Sequence, residues 1–171
     1  MRLGGGRPLI PLAALTLTAA LFTAAPASAD ASPVCPERRL TLRAEASATD
    51  PGVVRVSVTY HGARACTVAR IPTVTFRELD GSALPVPAGP TGRYRLAPDD
   101  TAYATVRTVA DPTDAQARRV DALAVSADPS HWGRAFTAAG LGAGDTIPVW
   151  EPVTSWWQPS ATAADKALGV R

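Results

Sequence analysis

An all-β fold, an antiparallel Ig-like β-sandwich of about seven to nine short strands preceded by a signal peptide, is what this sequence predicts. Three observations predict it. Apolar and polar residues alternate with period two through much of the chain, turn-forming residues recur roughly every eight to twelve positions, and no segment ahead of Thr162 carries an amphipathic helical stripe.

The first residues have the three parts of a secretory signal. Arg2 and Arg7 supply positive charge, Leu9 to Ala25 are uncharged and rich in Leu and Ala, and Ala27-Ser28-Ala29 places small residues where a signal peptidase cuts, ahead of Asp30. Pro8, Pro11 and Pro26 confine the clean apolar run to about 14 residues, short of the roughly 20 that span a bilayer. Cys35 follows Ser32-Pro33-Val34, which is no lipidation context. The expected division is a signal peptide over 1–29, a sandwich domain over 30–157 and a C-terminal tail over 158–171, with secretion and no membrane attachment after cleavage.

The strands follow in order. Leu40 to Ser47 has apolar residues at even positions, and after the turn Asp50-Pro51-Gly52 the same parity returns in Val54, Val56, Val58 and Tyr60. Short strands are expected at Cys66-Thr67-Val68 and Val74-Thr75-Phe76. Asp80-Gly81 signals a hairpin into Leu84-Pro85-Val86. Tyr94-Arg95-Leu96 leads through Ala97-Pro98-Asp99-Asp100 into Thr101 to Val109. A polar loop over Asp111 to Arg118 precedes strands at Val120 to Ala127 and His131 to Thr137. Gly140, Gly142 and Gly144 read as a flexible loop. A helix fits only at Thr162 to Leu168, with Thr162 as cap and Gly169 as stop.

Composition narrows the function classes. Loss of Arg2 and Arg7 leaves 15 basic residues against 15 acidic ones, so the mature chain is close to neutral and lacks the positive footprint of a nucleic-acid binder. All the cations except Lys166 are arginine, which reflects high-GC coding, and no Asn is present to accept N-glycosylation. Cys35 and Cys66 are the only cysteines, most simply one disulfide in an oxidising compartment. The alternative is a reactive thiol with His61 as its base.

Cys66-Thr67-Val68, Ile71-Pro72-Thr73-Val74-Thr75-Phe76, Asp80-Gly81 and Leu96-Ala97-Pro98-Asp99-Asp100-Thr101-Ala102 together resemble the secreted actinobacterial domain of unknown function 4232. The likeness covers roughly Cys35 to Val125 and implies a secreted Ig-like sandwich with no established activity. Tyr60-His61-Gly62 stands where that family carries an Asn-containing turn, and Asp99 or Asp100 where it carries a turn Gly. The further cysteines of many members are missing here, so the resemblance leaves Cys35 to pair with Cys66.

No catalytic residue, metal site or cofactor is expected. The candidate bases are His61 and His131, and Ser130 and His131, as neighbours in a strand, would point to opposite faces. No nucleophile elbow, zinc-protease helix or phosphate loop is present. Asp99-Asp100 and the Asp111/Asp114 loop have the oxygen ligands calcium uses, but read more simply as solvated turns.

The unusual distribution is that of tryptophan. Trp132, Trp150, Trp156 and Trp157 all lie in the last quarter of the chain. They either close the open end of the sandwich or form an aromatic platform for a ligand. Trp156 and Trp157 are consecutive and sit between Pro152 and Pro159, which predicts an irregular surface segment with at least one of the two well exposed. Trp156, Trp157 and Trp150 are the candidate contacts. The expected function is a non-catalytic extracellular binding module whose partner is a cell-wall glycan or a protein. The alternatives are a structural envelope protein and, last, a small hydrolase.

Overall fold

The computed structural model describes residues 32–89 and 92–170. The expected signal peptide and the cleavage point before Asp30 lie outside the described residues.

A 3-10 turn, Glu37–Arg39, opens the domain and leads into β1 (Leu40–Ala46). β1 pairs antiparallel with β2 (Val53–Tyr60) in the register Leu42↔Val58, Ala44↔Val56. The period-two pattern sets this arrangement: Val54, Val56, Val58 and Tyr60 are all buried on one face. β3 (Cys66–Ala69), β4 (Thr73–Phe76), β5 (Leu84–Val86), β6 (Arg93–Leu96) and β7 (Thr101–Arg107) follow. Next come β8 (Arg118–Val120), β9 (Ala122–Ser126) and β10 (Arg134–Thr137), then helix α1 (Ala138–Leu141), β11 (Ile147–Val149), β12 (Val153–Ser155) and helix α2 (Ala161–Leu168).

A five-stranded sheet has the order β1-β2-β7-β12-β5 and a three-stranded sheet the order β10-β9-β4, with two further pairs, β11-β8 and β3-β6. The pairing is antiparallel apart from β12 with β5. The result is a sandwich-like all-β fold. Its core includes Val56, Val58, Val74, Leu96, Val106, Leu123, Val125, Ile147 and Trp157. Burial of each such side chain contributes about 1.5–3 kcal/mol.

Among the described residues the fold has twelve strands rather than seven to nine. β8, β11 and β12 have three residues each, too few for alternation to mark them. His131 to Gly133 belong to a loop, and the strand expected from His131 starts at Arg134. The expected glycine loop begins instead as α1, where the Thr137 side chain accepts from Gly140 N–H and Gly142 ends the turn in the left-handed region. α2 is capped by Ser160 rather than Thr162, and Gly169 stops it as expected.

α2 does not hang free as a tail. Ala164 and Leu168 are buried, and the Asp165 carboxylate accepts from Arg55 Nε (3.0 and 3.2 Å) and from Thr105 Oγ1 (2.6 Å).

β12 overturns the reading of Val153 onward as irregular surface. It lies inside the five-stranded sheet, with Thr154 and Ser155 fully buried. Pro152 falls just ahead of the strand, and its carbonyl accepts from Leu84 N–H (2.9 Å). Thr154 faces Val106, and the next pairing with β7 is Gln158 opposite Tyr103. Four steps along one strand thus match three along the other, which is a β-bulge. Inside it, Ser155 Oγ accepts the Thr105 N–H (3.0 Å) that would otherwise lack a ladder partner.

Candidate loop site

The loop from Asp128 to Gly133 is fixed from two sides. Asp128, 5% exposed, accepts at Oδ1 from Ser130 Oγ (2.7 Å) and Ser130 N–H (3.1 Å), and at Oδ2 from Arg93 Nη2 (2.7 Å). Its carbonyl accepts from Ser126 Oγ (2.6 Å) and from His131 N–H (2.9 Å). Burial alone would raise the Asp128 pKa. The Ser130 hydroxyl and N–H and the Arg93 guanidinium outweigh it and hold the carboxyl below its ordinary value.

From the other side, the Glu37 carboxylate accepts from two successive backbone groups, Trp132 N–H (3.2 Å) and Gly133 N–H (2.7 Å). Gly133 has φ +76°, and a Cβ there would sit 2.5 Å from Val125 O, so only glycine lets the chain pass. Glu37 itself is placed by the Cys35–Cys66 disulfide two residues before it. On this braced loop the Trp132 side chain is 96% exposed.

The other tryptophans are spent differently. Trp157 is completely buried in the core; its backbone N–H donates to Arg70 O (3.1 Å), while its indole Nε1 is buried without a hydrogen-bond partner among the described residues. Trp156 is half-buried. Its indole Nε1–H donates to Pro87 O (2.9 Å), its ring lies 5.4 Å from the Arg70 guanidinium, and Gly89 packs against its benzo edge. Trp150 is 37% exposed, beside the turn at Glu151. The two neighbours do face opposite environments, yet neither ring is the open contact expected of the pair. The bulge turns one into the core and lays the other along the surface under a cation.

The model of the family described as "Domain of unknown function (DUF4232)" matches residues 35–157. The chain belongs to this family. The DUF4232 match takes in the disulfide, Glu37, the Trp132 loop and β12, and stops at Trp157, just short of α2. No curated protein and no solved structure matches the chain.

The Cys35–Cys66 pair of this DUF4232 domain is a formed disulfide, which removes the reactive-thiol alternative. His61 Nε2 lies 3.0 Å from Thr41 Oγ1, and Nδ1 lies 4.0 Å from the exposed Asp99 carboxylate. The Ser130 hydroxyl is committed to Asp128, and His131 Nδ1 is buried without a hydrogen-bond partner among the described residues. Asp111 Oδ1 accepts from Thr113 N–H and Oγ1, and Asp114 Oδ1 from Gln116 N–H; both are self-contained turns. No group of three His, Cys, Asp or Glu suited to a metal occurs among the described residues.

Trp132 belongs to the tryptophan cluster noted in the sequence, but it was not among the candidate contacts, which were Trp156, Trp157 and Trp150. A usable signal existed. Asp128-Pro129-Ser130 is a turn and Gly133 a second break, so the indole between them sits on a loop rather than a strand.

Proposed function

We propose that the mature chain is a secreted, non-catalytic binding module that grips its partner through Trp132. One observation carries this reading: a loop braced by two carboxylates presents a nearly fully exposed indole. Exposing an indole forgoes its burial energy, and the brace removes the loop entropy that binding would otherwise cost. Rigid aromatic anchors of this kind dominate interface energetics. The disulfide, the signal-like first 29 residues and the high-GC composition support an extracellular role in an actinobacterial setting. No described helix is long and apolar enough to cross a membrane.

The test is co-sedimentation of the protein with cell-wall material and insoluble glycans. Trp132→Ala should abolish retention at an unchanged melting temperature. Undiminished retention of that variant rejects the reading.

A further inference from the structure

The second unusual side chain is Arg70. It follows β3, with its N–H bonded to Gly92 O (2.9 Å) and its carbonyl to Trp157 N–H (3.1 Å), so its backbone is pinned on both sides. Its guanidinium lies between two aromatic rings, 5.6 Å from the Tyr94 centroid and 5.4 Å from that of Trp156. Both rings are themselves held, Tyr94 in the β3–β6 ladder and Trp156 by its bond to Pro87. The side chain makes no hydrogen bond or ion pair with any described residue, and its Nε is buried. Arginines left in water need no partner. One stacked and partly desolvated has lost solvation without gaining an acceptor.

Arg70 lines a cavity of about 520 Å³ together with Ile71, Pro72, Pro85, Pro129 and Arg93. Arg93 is already neutralised by Asp128 at 2.7 Å, so among the described residues the cavity holds one uncompensated positive charge within mainly apolar walls. From this we infer a binding site for a small organic monocarboxylate, with the Arg70 Nη groups as its receptor. One net charge suits a monoanion. The planar fork, already oriented by stacking, suits a carboxylate. Nε is enclosed, so the ligand meets the guanidinium end-on. The site goes beyond the proposed role of Trp132 and stands or falls without it.

Two sources share this chemistry, the C-terminal carboxylate of a peptide and the carboxylate of a sugar acid. The experiment is an NMR titration reading Arg70 Nε–H and Trp156 Nε1–H, with N-acetyl-dialanine, its C-terminal amide and glucuronate as probes. N-acetyl-dialanine should give saturable shifts at both signals and the amide none. A response to glucuronate as well, or instead, assigns the sugar source to the same receptor. Arg70→Lys keeps the charge but loses the fork, and should weaken binding about tenfold or more at an unchanged melting temperature. Equal binding of acid and amide, no saturable shift with either carboxylate, or full affinity in Arg70→Lys would each overturn the assignment. The acid–amide comparison uses the unaltered protein, so the test does not depend on a variant that folds.

Discussion

Single side chains in this protein do several structural tasks at once, and Tyr60 is an example. Its hydroxyl donates to Arg64 O (2.8 Å), and its ring folds down onto Gly62, where any Cβ would overlap the phenol. Gly62→Ala should therefore destabilise the domain by about 1–3 kcal/mol through overpacking, seen as a lower denaturation midpoint. Asp128 sets an acid limit. Its folded pKa lies below the ordinary 3.8, so the folded state binds fewer protons than the unfolded one. The resulting stabilisation is complete above the ordinary value and is lost as pH falls from there through the folded value. Asp128→Asn should lower stability at neutral pH and flatten this part of the acid-unfolding curve, which thermal melts across pH will show. Of the residue-scale features, the disulfide partners were legible from composition alone. The role of Trp132 was not, because it depends on Glu37, which is close only in space.

At the scale of elements, the first bracing of the Trp132 loop runs through the disulfide. The bridge closes a separation of 31 residues and by chain entropy contributes about 3–4 kcal/mol. It also delivers Glu37 to the loop. Cys35→Ser with Cys66→Ser should thus lower the melting temperature and, in addition, speed hydrogen exchange at the Trp132 and Gly133 amides. Glu37→Gln should speed that exchange with little global loss. α2 has an equally local lock. Asp165→Ala leaves the buried Thr105 hydroxyl and Arg55 without their acceptor, and should cost about 1–3 kcal/mol in chemical denaturation. Long alternating strands such as β1, β2 and β7 were readable from sequence because each shows several periods. β12 was not. Three residues after a proline give no period, and its membership of the sheet is decided by the neighbours it finds.

For the whole molecule, the position of β12 decides when the five-stranded sheet can be completed. β12 lies between β7 and β5, and its pairing with β5 is that strand's place in the five-stranded sheet. An interior strand of the sheet is therefore supplied by residues made about 50 positions after their neighbour Arg107. A chain ended after Trp150 keeps the disulfide but lacks β12, and should lose the sigmoidal thermal transition in circular dichroism. Strand β5, made early, thus has to wait for β12, the last strand of the chain, before it gains a neighbour in this sheet.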